Sequence, residues 1–438
     1  MLKVLLILIY VEKITEVVGD NPGTLLTYSI PEDRSFKQAL GYIEDSYLNF
    51  TELTSKYKYA SEEHTVKTRD GYLLTIFRIL PKCNEVKRFP VILMHGIFDS
   101  SDGWILSGPK TGLGYILSNN CYDVWAANNR GNRYSRKHVE LNPNKDFSFW
   151  NYSFEEIGNF DITAIIDYVL NVTNSSKVYY IGHSQGTTDF FVMTSSQPNY
   201  NNKIQLGILL APVAIMKHIT DLVKMVAQGS DIIKFVLDLI GLQEIAAVNH
   251  LEHQVLEKLC QFIPEPVCGS LLYISTGYKQ DTIAPRTLTI AFGHLPVGVS
   301  AKTLAHFGQL IISQKFQRYD EGLMGNMKKY GSIRPPEYNV SQITSPLVLF
   351  CGENDWISTI KDIDELIVKL PNVVEKYIVP DRFWSHNNHV WGVDAPKYST
   401  TLAKCGLVDF THLRELLWRT FRCAGFLTMF SFTEASDN

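Results

Sequence analysis

The stretch from Tyr179 to Gly186 constrains the fold more than any other part of the chain. It reads Tyr-Tyr-Ile-Gly-His-Ser-Gln-Gly, so an apolar run is interrupted by Gly-x-Ser-x-Gly, and a helix-compatible stretch follows over residues 187–195. This pattern is typical of a sharp turn from a strand into a helix, with a serine, here Ser184, at its tip. A Cβ at either glycine would collide with the neighbouring strand or helix. The five-residue pattern also occurs by chance, but its place between a strand and a helix favours the turn.

Strand-like and helix-like stretches alternate on both sides of this turn. Alternation before a turn signal predicts a strand at residues 62–66, and predominantly apolar stretches predict strands at residues 72–80, 91–94, 121–127, 177–181, 204–210, 346–350 and 373–379. Apolar residues at helical spacing predict helices at residues 154–170, 187–195 and 361–370. Asp70-Gly71 between the first two strands predicts a hairpin. The alternation is the signature of an α/β fold with a mostly parallel, doubly wound sheet.

The alternation stops after the strand that follows Ser184. From residue 213 to residue 345 there is no clear parallel strand, and apolar residues recur every three or four positions, at Ile215, Ile219, Leu222 and Val226. An apolar helical insertion at this point is typical of a cap over an active site. A separate helical domain without a catalytic role is the alternative. The predicted domains are a core of residues 20–212 and 346–400, a cap of residues 213–345 and a C-terminal extension of residues 401–438.

The first 19 residues have the features of a secretory signal. Lys3 supplies a positive charge, and the apolar run from Val4 to Val11 is much shorter than the roughly 20 residues that a membrane-spanning helix needs. Glycosylation sequons follow at Asn49, Asn151, Asn171, Asn174 and Asn339. Together, the signal and the sequons predict an exported glycoprotein.

The cysteines and the net charge restrict the compartment and the partners. Cys260 and Cys268 enclose a short loop with two prolines, so we expect a disulfide between them in an exported chain. Cys351 ends an apolar strand and is expected to be a small buried hydrophobe. The pattern leaves four cysteines unassigned: Cys83, Cys121, Cys405 and Cys423. The net charge of −4 is too close to balance to favour nucleic acid or an anionic membrane as a partner.

A serine hydroxyl is a weak nucleophile near neutral pH, so it needs a neighbouring base, and the base needs a carboxylate that fixes its tautomer. Asp355 follows the predicted strand 346–350, and His386 follows the strand 373–379. The order serine, acid, histidine is that of the α/β-hydrolases, in which the acid and the histidine lie in loops after late strands. The sequence therefore predicts a Ser184, Asp355 and His386 triad.

Other side chains compete for two of these roles. Glu353, Asp362 and Asp364 are nearby carboxylates, but Asp362 and Asp364 fall within the predicted helix 361–370. His389 follows His386 by three residues and is the alternative base.

The oxyanion of a tetrahedral intermediate needs preorganised N–H donors. In this fold one donor is the residue after the nucleophile, and the other lies in the loop after an earlier strand. These correspond to the backbone N–H groups of Gln185 and of Ile97.

Together, these features resemble the acid lipase family of α/β-hydrolases, which includes the gastric and lysosomal lipases. The resemblance runs from about Lys58 to Tyr398 and is most specific in Asn-Arg-Gly-Asn-Arg-Tyr-Ser-Arg-Lys-His at residues 129–138. It implies the same triad and oxyanion donors, without a metal or a cofactor. It also implies hydrolysis of neutral lipid esters, either triacylglycerols or sterol esters, beneath a cap that contacts the lipid–water interface. The residence implied is secreted or lysosomal.

The chain departs from the family pattern in two places. Around the histidine the family usually reads Asn-His-x-Asp-Phe, whereas residues 385–389 read Ser-His-Asn-Asn-His, which predicts a more weakly oriented His386. The chain also continues beyond Tyr398 through residues 401–438. Because Asn388 and His389 replace an aspartate and an aromatic residue, a lipid-binding homologue with impaired catalysis is one alternative. An esterase of non-lipid substrates is another, since a fold does not determine a substrate.

Overall fold

The computed structural model describes residues 34–221, 224–225, 229, 243–246 and 251–398 of the chain. The predicted signal of residues 1–19, the extension of residues 401–438 and parts of the predicted cap lie outside these ranges. An eight-stranded sheet forms the centre of the molecule. No helix within the described ranges is long and apolar enough to cross a lipid bilayer.

The sheet contains all eight predicted strands, with ends that differ from the predicted ones by at most three residues. In chain order they are β1 Ser61–Lys67, β2 Leu73–Ile79, β3 Val91–Met94, β4 Val124–Ala126, β5 Val178–His183, β6 Ile204–Leu210, β7 Leu347–Cys351 and β8 Val373–Ile378. Parallel pairing joins β4, β3, β5, β6, β7 and β8 in that spatial order. The predicted hairpin of β1 and β2 extends the sheet beyond β4 by antiparallel pairing.

Strand β3 illustrates why these apolar runs form a central sheet. Val91 and Leu93 belong to one hydrophobic core, and Ile92 and Met94 belong to the other. Successive side chains of a strand point to opposite faces, so a continuous apolar run suits a strand that is covered on both sides. All four side chains are fully buried.

Helices cover the sheet and build the insertion. They are α1 Arg34–Ala39, α2 Phe50–Lys56, α3 Leu113–Asn119, α4 Phe154–Glu156, α5 Thr163–Thr173, α6 Gln185–Ser196, α7 Leu251–Phe262, α8 Ser270–Thr276, α9 Pro285–His294, α10 Ala301–Ser313, α11 Gly322–Tyr330, α12 Ile360–Ile367 and α13 Asn388–Trp391. The helix predicted over residues 154–170 consists of α4, a π-helical turn at Ile157–Ile162 and α5. A capping box of Ser153 and Glu156 begins it.

The chain leaves the sheet after β6 and returns to it at β7, and we call the intervening residues 211–346 the insertion. Its described part contains α7 to α11 and a short antiparallel pair of strands, Glu244–Ile245 and Val299–Ser300. The predicted disulfide between Cys260 and Cys268 ties the end of α7 to the residues before α8.

The structure also pairs two of the cysteines that the sequence left unassigned. Cys83 and Cys121 form a disulfide that connects the loop after β2 to the residues before β4. Cys351, at the end of β7, is free and buried, as predicted. The third and fourth unassigned positions, Cys405 and Cys423, lie outside the described residues.

Buried polar contacts fix the insertion against the N-terminal helices. The Glu257 carboxylate on α7 accepts hydrogen bonds from Lys37 Nζ at 3.0 Å and from Ser46 Oγ at 2.7 Å. Its side chain is only 1% exposed, so these bonds replace the water that the charge has lost. On α9, His294 Nδ1 lies 2.8 Å from Asp102 Oδ2, which follows β3. Helices α7 and α9 are therefore tied to parts of the chain that precede the nucleophile.

Helix α5 allows a direct test of how its apolar face stabilises the fold. Val169 is fully buried against the sheet, whereas Val172 on the same helix is 41% exposed. We expect Val169→Ala to lower the free energy of unfolding by about 2 kcal/mol, because two buried methyl groups are lost and a cavity remains. Val172→Ala should change it by less than about 0.5 kcal/mol. Urea unfolding of both variants measures this, and equal losses would contradict the packing described here.

A buried histidine couples stability to pH. His306 on α10 stacks on the Phe154 ring at 3.8 Å, and its two ring nitrogens lie 3.0 Å from Ser153 Oγ and 2.9 Å from the Gln317 carbonyl oxygen. Burial lowers the pKa of His306 to about 3, although the Gln317 carbonyl favours the protonated form. The unfolded chain, with a histidine pKa of about 6.5, therefore takes up this proton first as the pH falls.

The contribution of His306 to stability is thus complete above pH 6.5 and is lost progressively as the pH falls towards 3. From pH 7 to pH 5 we expect His306 to remove about 2 kcal/mol from the free energy of unfolding. The measurement is urea unfolding at both pH values for the wild type and for His306→Gln. The variant should lose less stability than the wild type by that amount, and parallel losses in the two proteins would refute the prediction.

Candidate active site

Ser184 lies at the tip of the predicted turn between β5 and α6. Its backbone has φ 53° and ψ −117°, a strained conformation for a residue with a side chain. The flanking glycines permit it. A Cβ on Gly182 would lie 2.7 Å from the Gly186 carbonyl oxygen, and one on Gly186 would lie 2.5 Å from the Met94 carbonyl oxygen. The turn therefore packs directly on the end of β3, as the sequence predicted.

The three predicted triad residues meet at the carboxyl ends of parallel strands. Ser184 Oγ lies 2.7 Å from His386 Nε2, and His386 Nδ1 lies 2.8 Å from Asp355 Oδ2. The second carboxylate oxygen of Asp355 accepts the backbone N–H groups of Ile357 at 2.9 Å and of Ser358 at 2.8 Å. An ionised carboxylate only accepts hydrogen bonds, so the imidazole proton lies on Nδ1 and Nε2 is left to accept from the serine hydroxyl.

The competing side chains lie away from this chain of hydrogen bonds. Glu353 is exposed, and Asp364 forms an ion pair with a lysine. Asp362 accepts backbone N–H groups at the start of the insertion. His389 is buried with its ring edge-on to the Trp384 ring, and burial holds its pKa well below the usual value. Of these candidates, the structure brings only Asp355 and His386 together with the serine.

The two residues that are predicted to supply the oxyanion donors border the same space. Ile97 and Gln185 both line a small cavity, and Gln185 is the first residue of α6, where the helix dipole favours negative charge. Gly96, the residue before Ile97, lies close to the nucleophile, since a Cβ on Gly96 would lie 3.1 Å from Ser184 Cβ. The backbone after β3 thus comes within reach of the serine.

His95 fixes the backbone that leads into this loop. Its Nδ1–H donates to the Gly96 carbonyl oxygen at 2.7 Å, and Nε2 accepts from Asn132 Nδ2 at 3.1 Å and from the Asn129 N–H at 3.3 Å. Burial lowers the pKa of His95 to about 4, so the ring is neutral and both nitrogens keep these roles. The block at residues 129–138 therefore supports the site through Asn129 and Asn132.

His183, which the sequence reasoning did not single out, contacts the histidine loop. Its Nε2–H donates to the His386 carbonyl oxygen at 3.0 Å, and the two rings are 5.0 Å apart. Burial lowers the pKa of His183 to about 3, and the neighbouring His386 adds to the shift. His183 is therefore neutral above a pH of about 3 and donates this bond through Nε2–H. The only signal in the sequence was its position inside Gly-x-Ser-x-Gly.

The departure from the family pattern at Asn388 is compensated. The Asn388 side chain is fully buried, and its Oδ1 accepts from the Ser385 N–H at 3.1 Å and from the Ser385 hydroxyl. Its Nδ2 donates to the Thr282 carbonyl oxygen at 3.3 Å. The loop that carries His386 is therefore ordered by Asn388 at a position where the sequence led us to expect weaker orientation.

The five sequons differ in exposure. Asn151, Asn171, Asn174 and Asn339 are exposed. Asn49 is half-buried, and its Oδ1 caps α2 by accepting the Glu52 N–H at 3.0 Å. A glycan attached through Nδ2 leaves that oxygen free to accept, so the capping bond and a glycan on Asn49 are compatible.

Two models of known protein families match parts of this chain. Residues 50–108 match the family model described as a partial alpha/beta-hydrolase lipase region. Residues 90–229 match the model of the alpha/beta hydrolase fold. The first match contains Ile97, and the second contains Ile97, Ser184 and Gln185.

Three relatives are similar to this chain over most of its length. Lipase 1 of Drosophila melanogaster is 37% identical over 369 residues, which are 84% of this chain and 81% of that protein. Gastric triacylglycerol lipase of Mus musculus is 34% identical over 80% of this chain and 89% of its own length. Lysosomal acid lipase/cholesteryl ester hydrolase of Homo sapiens is 32% identical over 80% of this chain and 88% of its own length. With such similarity over most of both lengths, the chain belongs to the acid lipase family of α/β-hydrolases.

Proposed function

We propose that this protein is an exported lipase that hydrolyses the carboxylic esters of neutral lipids through an acyl-enzyme on Ser184. The observation that carries the proposal is the unbroken series of hydrogen bonds from Ser184 Oγ through the His386 ring to Asp355, with distances of 2.7 and 2.8 Å. All three residues are at least 94% buried, so their mutual interactions are weakly screened by water.

In acylation, Ser184 Oγ attacks the ester carbonyl carbon while His386 Nε2 takes the hydroxyl proton. The negative oxygen that forms is stabilised by the N–H groups of Ile97 and Gln185. Asp355 stabilises the imidazolium through Nδ1–H and holds its orientation. When the tetrahedral intermediate collapses, the ester C–O bond breaks and Nε2 gives the proton to the departing alkoxide.

In deacylation, water replaces the alcohol and the same groups act in reverse. His386 Nε2 accepts a proton from water as the water oxygen attacks the acyl carbon on Ser184. The second tetrahedral intermediate releases the carboxylic acid, and Ser184 Oγ regains its proton from Nε2. The protein returns to its starting state, with one ester bond and one water molecule consumed.

The class of substrate is inferred from the relatives and from the insertion. The names of two relatives specify triacylglycerol and cholesteryl ester, and both are carboxylic esters of neutral lipids. Insertion helices α7 and α8, with the residue that follows α7, expose large apolar side chains to solvent: Leu259, Phe262, Ile263, Leu271, Tyr273 and Ile274. We call these six residues the apolar cap surface. Exposed apolar clusters of this kind are typical of contact with lipid or protein, and we assign this one to the lipid–water interface, with the insertion as the cap.

Export to the lysosome or the cell exterior fits the same set of observations. The two disulfides persist in oxidising compartments. Four of the five sequons are exposed to glycosylation. The named relatives include a lysosomal and a gastric enzyme.

Replacement of the nucleophile tests the reaction. We expect Ser184→Ala to lower the hydrolysis of emulsified triolein by at least about 10⁴-fold, because no hydroxyl remains to form the acyl-enzyme. Ser195→Ala is the matched control, since Ser195 lies on the same α6 and its hydroxyl bonds only to backbone carbonyls. A fluorophosphonate should label the wild type and the control at Ser184, as read by peptide mass spectrometry. Lipid binding without labelling would favour a carrier in place of an enzyme.

The assignment of the apolar cap surface to the lipid–water interface predicts which substitutions lower the rate on an emulsified lipid. Phe262 is 71% exposed on α7, and Phe147, in the core domain, is 62% exposed. Phe262→Ser should lower the rate on emulsified triolein about tenfold, because burying a phenyl ring in lipid contributes about 1.5–3 kcal/mol. Its rate on water-soluble p-nitrophenyl butyrate should stay within about twofold of wild type. Phe147→Ser should leave both rates unchanged. If both variants lower the rate on triolein equally, the apolar cap surface is not the part of the protein that contacts the lipid–water interface.

A further inference from the structure

The loops that carry Asp355 and His386 both contact one short part of the insertion, residues 277–283, between α8 and α9. The contacts involve an asparagine in each loop, Asn354 next to the acid and Asn388 two residues after the base. Neither asparagine has a part in the reaction proposed above. The insertion therefore reaches both loops from one side.

At the acid loop the contact is close and depends on a glycine. Asn354 Nδ2 donates to the Gly277 carbonyl oxygen. Gly277 has φ 81°, and a Cβ there would lie 2.4 Å from the Asn354 carbonyl oxygen and 2.7 Å from Cδ1 of the Trp356 ring. The Trp356 ring also meets the Tyr273 ring of α8 edge-on, with centroids 5.2 Å apart. Both residues that flank Asp355 in the chain are thus held against the insertion.

The loop that carries His386 contacts the insertion through the side chain of Asn388 and through backbone atoms. Asn388 Nδ2 lies 3.3 Å from the Thr282 carbonyl oxygen, and the Val393 N–H lies 3.0 Å from the same oxygen. Ile283 forms an antiparallel bridge with Gly392, and its side chain is fully buried. Asn388 uses its oxygen for Ser385 at the same time, so its amide joins the loop of His386 to the insertion.

We propose that residues 277–283 act as a clamp that sets the position of His386 relative to Asp355, with Asn354 and Asn388 as positioning residues. The inference rests on the proposed function, because the geometry that it controls is that of the hydrolytic triad. The two loops also touch directly, since the Asn354 N–H donates to the Trp384 carbonyl oxygen at 3.1 Å. The clamp therefore refines an alignment that exists without it.

An amide is required for this role at Asn388. An aspartate there accepts from Ser385 as well as the asparagine does, but it has no N–H for the Thr282 carbonyl oxygen and places two acceptors against each other. Asn388→Asp is nearly isosteric, and it replaces the donor by a buried carboxylate oxygen. Asn354→Ala removes the donor of the acid loop. Gly277→Ala keeps both asparagines but forces Gly277 apart from the Asn354 carbonyl oxygen and the Trp356 ring.

The test measures kcat and KM on p-nitrophenyl butyrate, together with the melting temperature, for these three variants and for the double variant Asn354→Ala/Asn388→Asp. We expect each single variant to lower kcat about tenfold with KM within about twofold, because binding is intact and alignment is lost. The double variant should lose little more than a single one, because either break releases the same clamp. Asn372→Ala is the control, since Asn372 Nδ2 donates to a backbone carbonyl at 2.9 Å away from the site.

The outcomes separate the clamp from the reaction itself. Unchanged kcat in all three single variants overturns the clamp while the lipase assignment stands. A double variant that loses about a hundredfold overturns it as well, because each asparagine then acts only on its own loop. Failure of the wild type to hydrolyse any ester or to react with a fluorophosphonate overturns the proposed function instead. A variant with a lowered melting temperature is assessed by its kcat at a temperature at which it is fully folded.

Discussion

The close packing of the turn at Ser184 on the end of β3 is the constraint on which the site depends. The positive φ of Ser184 is unfavourable in isolation, and it persists because β5, α6 and β3 converge there without room for side chains at Gly182 and Gly186. This packing places the hydroxyl at the carboxyl edge of the sheet and the first N–H of α6 beside it. Because the loops after β7 and β8 end at the same edge, the acid and the base reach the serine without any distortion of the core.

The triad histidine, which has to carry a charge, has the neutral His183 and His389 close to it, and His95 lies near His183. His95, His183 and His389 are buried, and burial lowers the pKa of each. A second cation beside His386 would disfavour the imidazolium that forms in each half of the reaction. Neutral rings avoid this repulsion, and His183 still supplies a hydrogen bond to the His386 carbonyl oxygen. The same burial makes folding less favourable in acid, so the surroundings that suit catalysis oppose stability at low pH.

Local patterns in the sequence predicted the sheet well because the central strands are short apolar stretches with buried side chains. The bounds of β3 and β6 were predicted to the residue, since both predominantly apolar stretches end at turn signals. Contacts between distant parts of the chain were not predictable in this way. The pairing of Cys83 with Cys121 spans 38 residues and leaves no spacing signal. From the sequence, Asn388 predicted a more weakly oriented His386. Its partner, the Thr282 carbonyl oxygen, lies 106 positions earlier in the chain. A backbone acceptor leaves no signature in the sequence, so this contact could not be predicted.

The two roles proposed for the insertion meet in helix α8. Its outer side chains belong to the apolar cap surface, and its last turn leads directly into Gly277, which packs on the acid loop. The disulfide from Cys260 to Cys268 and the buried contacts of Glu257 hold the preceding helix to the rest of the molecule. A displacement of α8 at a lipid surface therefore shifts the adjoining residues 277–283. Through Asn354 and Asn388, this shift reaches the loops that carry the triad. If both proposals hold, contact with lipid and alignment of His386 are coupled through one helix, and the coupling free energy is limited to what the contacts of α8 and residues 277–283 with the two loops contribute.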